Sequence, residues 1–253
     1  MSSDQLALDI GVRAAACLAR VSDAVLASGR VPGEVKVLLA TKTQPVAAIQ
    51  QAVASLSKYE LPVVIGENRV QEIVTKAPEL AGLIADGKID LHLIGPLQRN
   101  KINTVIANPV SVIESVDSLE LAQNISERAI RAEHPVSVML QVNVSGEATK
   151  SGCLPDNALN LAKQIAALPQ LRLIGFMCIG QPPIYLDGVI TNKAQIKAGY
   201  DTLRHIRDDA VAAGLSDAKE LSMGMSADLE IAIAAGATIV RLGTAIFGNR
   251  SLA

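Results

Sequence analysis

The chain has no tryptophan, and only 2% of its residues are aromatic. Stacking platforms for single-stranded nucleic acid are therefore scarce. Neither charge sign is in excess: 23 lysines and arginines stand against 25 aspartates and glutamates. That leaves no basic surplus for general binding to nucleic acid or anionic membranes. The three cysteines, Cys17, Cys153 and Cys178, include no CxxC pair and are odd in number. They offer neither a zinc pattern nor a disulfide framework and fit a reducing compartment. No apolar run approaches the roughly 18 residues of a membrane span. At the N-terminus, Asp4, Asp9 and Arg13 interrupt the apolar stretch that a secretory leader needs. A cytoplasmic protein is expected. There the sequon Asn143-Val144-Ser145 is a coincidence.

What is present is apolar substance. The composition is 49% hydrophobic and 19% charged over 253 residues, enough for a substantial core. Residues from about Asp4 to Ala27 set Leu6, Ile10, Ala14, Cys17, Leu18, Val21 and Val25 at helical spacing. From Val35 onward, short apolar runs alternate with amphipathic ones. The runs predict eight strands: 35–40, 63–66, 91–94, 111–116, 136–144, 171–177, 220–223 and 238–242. Helices are predicted between them at 46–57, 70–83, 98–106, 118–132, 155–168, 191–213 and 227–235. Ser118 and Ser226 are read as N-caps, Pro155 as a first-turn proline, and Gly214 and Gly236 as helix stops.

Strict alternation means parallel strands with crossover helices, and the valine- and isoleucine-rich runs suit a sheet covered on both faces. The expected fold is a (β/α)8 barrel with an extra N-terminal helix, and residues 1–253 form a single domain with 1–30 packed on the barrel. A doubly wound open sheet is the alternative. No GxGxxG follows the first strand, so its dinucleotide-binding form lacks a phosphate loop. The turn-rich segment Gly180–Gly188 is read as a long loop after the sixth strand.

In a barrel, function sits on the loops that follow the strands. Lys42 ends the first strand, where its amine either caps the strand in solvent or opens into the mouth as a nucleophile toward a carbonyl. The loops after the seventh and eighth strands carry Ser226 and Gly243-Thr244, which is where barrels commonly hold a phosphate. Ordinary capping and turn formation are the alternatives for each of them. Arg241 interrupts an apolar strand and needs an acceptor, either a carboxylate such as Glu67 or Glu114 or a ligand atom. His92 is read as a satisfied core histidine, since no second histidine stands at metal-ligand spacing. The loop GEATKSG (146–152) lacks the ending of a phosphate-binding P-loop.

Five motifs occur in one order along nearly the whole chain: ATKT around Lys42, GENRVQE (66–72), HLIGPLQRNK (92–101), SMGMSAD (222–228) and RLGTAIFG (241–248). Together they resemble the pyridoxal phosphate homeostasis protein family, single-domain relatives of the alanine racemase barrel. Leu91 stands where that family often has an aromatic residue, and Arg69 where it often has tyrosine.

The resemblance implies that Lys42 forms a Schiff base with pyridoxal 5'-phosphate and that Ser226, Gly243 and Thr244 hold the phosphate. It also implies that Asn68 lies beside the ring and that Arg241 approaches the pyridine nitrogen. A non-catalytic carrier in vitamin B6 homeostasis is the expected function, with cofactor-dependent apoenzymes as possible recipients. The alternative is an amino-acid racemase, which needs acid/base groups on both faces of the bound substrate. In the racemase relatives, the group opposite the lysine is a tyrosine from the second domain of a partner subunit. This sequence stops at Ala253, and Tyr59, Tyr185 and Tyr200 lie outside the strand-end motifs. A monomer that is not an enzyme is therefore expected, with no metal.

Overall fold

Each short apolar run becomes a strand whose alternate side chains enter two different cores. In β1 (Lys36–Ala40), Val37 and Leu39 pack outward against helices while Leu38 packs inside the barrel. Both environments exclude water, so the run has no polar face to show, which is how a parallel sheet buried on both sides is specified. The computed structural model describes residues 3–59, 63–147 and 149–248, with side chains from residue 9 onward. The place of Leu6 in the helical stripe therefore lies outside the described side chains.

The other barrel strands are β2 (Val63–Glu67), β3 (Ile89–Leu93), β4 (Val112–Val116), β5 (Val136–Gln141), β6 (Leu171–Met177), β9 (Glu220–Met225) and β10 (Ile239–Leu242). Two short strands, β7 (Tyr185–Leu186) and β8 (Val189–Ile190), form a separate antiparallel pair. The barrel closes in the order β1-β10-β9-β6-β5-β4-β3-β2, with every pairing parallel. The expected (β/α)8 barrel is what the structure shows.

The helices are α1 (Ser3–Ala27), α2 (Val46–Leu56), α3 (Val70–Ala85), α4 (Ile102–Ile106), α5 (Leu119–Arg131), α6 (Pro155–Ala166), α7 (Lys193–Ala212), α8 (Leu229–Ala234) and α9 (Thr244–Phe247). Helix α1 buries Ile10, Ala14, Cys17, Leu18, Val21 and Val25 against α2, α8 and α9. Arg13 Nε donates to the Ile246 carbonyl at 2.7 Å, and Arg30 Nη1, in the turn after α1, to the Ala237 carbonyl at 2.7 Å, tying the helix and the turn that follows it to the chain on either side of β10. Ser118 caps α5 by accepting from the Leu121 N–H, and Pro155 opens α6. Gly214 and Gly236 follow α7 and α8 with φ of 97° and 105°, the left-handed stop expected of them.

Two readings change. The fifth strand, expected to reach Val144, ends at Gln141. Beyond it the Asn143 side chain accepts from the Ser145 N–H and hydroxyl and donates to the carbonyls of Glu147 and Lys150, so it folds the chain into a loop. The expected long loop 180–188 runs into the β7–β8 hairpin, whose second strand lies beyond it. Its turn is Asp187-Gly188, both at positive φ, the pairing that matches strand twist.

Inside the barrel, Leu38, Val64, Val112, Met139, Met177 and Ile239 form a small apolar floor. The next inward layer is polar. It carries His92, Glu114, Ser222 and Arg241, all buried, and above it lies the mouth formed by the strand ends.

Candidate functional site

Strand alternation decides which end residues look into the mouth. Leu38 points inward, so Lys42, four residues on, shares its side. Lys42 sits between Thr41, whose N–H donates to the Gly66 carbonyl, and Thr43, held at a left-handed φ of 64°. Its ammonium makes no hydrogen bond or ion pair with the described residues. A hydrogen-bonded cluster fixes the turn around it. Lys76 Nζ donates to the Thr41 carbonyl at 2.9 Å, to Glu67 at 2.7 Å and to Glu72 at 3.0 Å. The Thr41 hydroxyl donates to Glu67 at 2.6 Å, and the Thr43 N–H to Glu72 at 3.1 Å. Burial pushes the Glu67 carboxyl up to about 7, helped by Glu72 and opposed by Lys76 and Thr41.

Lys42, Asn68, Ser226, Arg241, Gly243 and Thr244 all line one cavity of about 380 Å³, with Ile94, Pro96, Met177 and Ile179 among its apolar walls. The structure thus brings together the six residues that the resemblance implies for the cofactor. The Asn68 amide and the Ser226 and Thr244 hydroxyls, like the Lys42 amine, make no hydrogen bond among the described residues. Lys42 and Arg241 are the only ionisable side chains lining it among those residues. A cavity of about 400 Å³ beneath α1, lined by Leu18, Val21, Val25, Val35 and Tyr59 among others, holds no comparable set of donors.

Gly95 makes the wall possible. A Cβ there would stand 2.1 Å from the Asn68 carbonyl oxygen, so only glycine lets the exit of β3 run against the Asn68 backbone.

The floor of the cavity is a continuous buried network. His92 Nδ1 and the Glu114 carboxylate are 2.6 Å apart, and the Ser222 hydroxyl donates to the other Glu114 oxygen at 2.6 Å. Arg241 Nη1 donates to the Ser222 carbonyl at 2.8 Å and hydroxyl at 2.9 Å, and Nη2 to the Cys178 carbonyl at 2.7 Å. Of the two carboxylates considered for Arg241, Glu114 is the partner, reached through Ser222. His92 is satisfied, as expected. Burial alone would raise the Glu114 carboxyl, but the His92 hydrogen bond, Arg241 and the Ser222 hydroxyl outweigh it and hold it below the usual range. Arg241 Nε makes no hydrogen bond among the described residues. Burial pushes the Cys178 thiol up to about 12, which keeps it from acting as a nucleophile.

Ser226 does not cap a helix. It lies in the turn between β9 and α8, and Asp228 occupies the cap position. Asp228 Oδ1 accepts from the Met225 N–H at 2.7 Å and Oδ2 from the Tyr200 hydroxyl at 2.7 Å. The turn is therefore shaped from behind, and Ser226 keeps its hydroxyl for the cavity. Tyr200→Phe removes a hydrogen bond to a buried carboxylate and is expected to cost about 1.5–3 kcal/mol. Chemical denaturation measures it; a change under about 0.5 kcal/mol would show that Asp228 holds the turn alone.

Residues 28–251 match the family model for the alanine racemase N-terminal domain, so this parallel barrel, with a lysine and a hydroxyl-rich cup at its mouth, is of the alanine racemase type. A pyridoxal phosphate homeostasis protein of Pseudomonas aeruginosa is 43% identical over 233 residues, 92% of each chain. A crystal structure from Bifidobacterium adolescentis superposes with a TM-score of 0.87 at 39% identity, covering 97% of both chains. PipY of Synechococcus elongatus, solved with pyridoxal phosphate bound, has a TM-score of 0.71 at 30% identity over 90% of this chain and 100% of its own. The chain belongs to the pyridoxal phosphate homeostasis protein family.

Sequence reasoning missed Glu72, Lys76, Tyr200 and Asp228 as parts of the site. Glu72 and Asp228 ended quoted motifs and were within reach of attention. Lys76 and Tyr200 lie on helices, where nothing in the local pattern tells a buried polar tip from an exposed one.

Proposed function

We propose that the chain holds pyridoxal 5'-phosphate in the mouth cavity as a Schiff base on Lys42 and serves intracellular vitamin B6 homeostasis without catalytic turnover. Residues 1–253 would act as one cytoplasmic, monomeric unit that passes the cofactor to apoenzymes. One observation carries the reading: an amine, an amide, two hydroxyls and a guanidinium nitrogen, all without described partners, face a single cavity. That donor set fits a phosphorylated pyridine aldehyde. When bound, the cofactor supplies an electrophilic aldehyde and a ring able to withdraw electrons.

Within that reading, Lys42 would provide the attacking amine. Ser226, Thr244 and the Gly243 backbone would hold the phosphate, and Asn68 would lie beside the ring. Arg241, whose Nε is free among the described residues, would face the ring nitrogen. A guanidinium does not give up its proton, so it would leave that nitrogen unprotonated and restrain electron withdrawal. Racemisation needs a second acid/base group facing Lys42. None of the three tyrosines lines the cavity: Tyr200 is spent on Asp228, and Tyr59 and Tyr185 are exposed.

Borohydride reduction of the loaded protein, followed by peptide mapping, should place the cofactor on Lys42; an adduct elsewhere overturns the assignment. Ser226→Ala and Thr244→Ala should each weaken retention by about ten-fold or more, the worth of a charge-assisted hydrogen bond. Equilibrium dialysis reads this, and unchanged retention would move the phosphate elsewhere. Turnover of amino-acid enantiomers by loaded protein would replace the carrier by a racemase.

A further inference from the structure

We propose that Lys76, together with Glu67 and Glu72, is a positioning device for Lys42, presenting its amine to the cavity. The proposal rests on the reading of Lys42 as the attachment point.

The geometry brackets one residue. The carbonyl before Lys42 belongs to Thr41 and accepts from Lys76 at 2.9 Å. The N–H after Lys42 belongs to Thr43 and donates to Glu72 at 3.1 Å. The third member, Glu67, accepts from the Thr41 hydroxyl at 2.6 Å. Each member of the cluster thus touches the Lys42 turn as well as its own partners.

Stability alone does not explain the arrangement. The Lys76 residue is 8% exposed and Glu67 fully buried, and such an ion pair is often no better than well-packed apolar side chains. Thr43 holds a left-handed φ without being glycine, a conformation that persists where surrounding bonds over-determine it. The bond to Glu72 is one of them. The left-handed residue and the buried ion pair thus flank Lys42, the residue whose direction matters to the cavity.

The test compares Glu72→Ala, Glu72→Gln and Lys76→Met with the parent in two measurements. One is competitive labelling of Lys42 in the cofactor-free protein with acetic anhydride, followed by mass spectrometry. The other is the rate at which the visible Schiff-base band appears on adding pyridoxal phosphate. Glu72 is only partly buried and lies in the first turn of α3, so alanine there leaves the helix intact. Glu72→Ala and Lys76→Met should change labelling and slow band formation by about ten-fold or more, as displaced reacting groups do. Glu72→Gln keeps an acceptor for the Thr43 N–H and should restore both rates to near parent.

A merely structural cluster would lower the unfolding midpoint and leave both rates of the folded variants unchanged; that result overturns the proposal. If Lys76→Met does not fold, the Ala and Gln pair at Glu72 decides. If the parent adduct maps to another lysine, the attachment reading fails, while labelling of Lys42 still decides the positioning claim by itself.

Discussion

Lys42→Ala protein mixed with pyridoxal phosphate is expected to show no protonated Schiff-base band. Borohydride should give only background adduct where the parent gives about one per chain. Lys42 is the only amine lining the cavity among the described residues, and the nearest ammonium along the strand-end cluster, Lys76, is engaged by three acceptors. No second amine among the described residues faces the same space. The Lys42 side chain makes no hydrogen bond to the described residues, so its removal should leave unfolding free energy within about 0.5 kcal/mol of the parent. The combination of full chemical loss with intact stability is diagnostic. A retained band would mean that another lysine carries the cofactor. A large stability loss would mean that Lys42 has partners this arrangement does not contain.

The barrel was legible because a parallel sheet buried on both faces writes itself as uninterrupted apolar runs, and Val37-Leu38-Leu39 is a run of that kind. The site was legible because its residues sit where runs stop: Lys42 after β1, Asn68 after β2, Ser226 after β9, Gly243 and Thr244 after β10. Arg241 announced itself by interrupting a run. What did not show was how these residues are held. Lys76 occupies a helix position indistinguishable by period from an exposed lysine, yet three acceptors converge on it. Ser226 matched a cap pattern, but the cap position falls two residues later at Asp228, whose carboxylate accepts from the Met225 N–H behind it. The β7–β8 hairpin carried its signal in Asp187-Gly188, masked by the prolines before it. Local pattern identifies which residues meet at the mouth; the second layer that aims them is long-range and leaves little local trace.

That second layer also makes the floor the most fragile part of the protein. Arg241→Met keeps the length of the side chain and removes its guanidinium. The buried Cys178 carbonyl then loses its guanidinium donor, the Ser222 carbonyl and hydroxyl lose theirs while the carbonyl keeps the Cys178 N–H, and the Glu114 carboxylate loses the nearby positive charge. Breaking one partner out of a buried charged network costs about 3–5 kcal/mol, which for a chain of this size lowers the thermal midpoint by roughly 10 °C. The sign of the pH dependence follows from Glu114. Its carboxyl is held below the usual range in the folded protein, so its contribution to stability is present above that range and is lost as pH falls through its folded value. Without Arg241 that depression shrinks. The gap in stability between parent and variant should therefore be widest at neutral pH and narrow in acid. Denaturant titrations at neutral and acid pH read the gap directly. Adding Glu114→Gln to Arg241→Met removes the stranded charge and should recover part of the loss, since the two sites share one network. A gap below about 1 kcal/mol, or one that widens in acid, would mean that Arg241 is held for the cavity above it and contributes nothing to the floor.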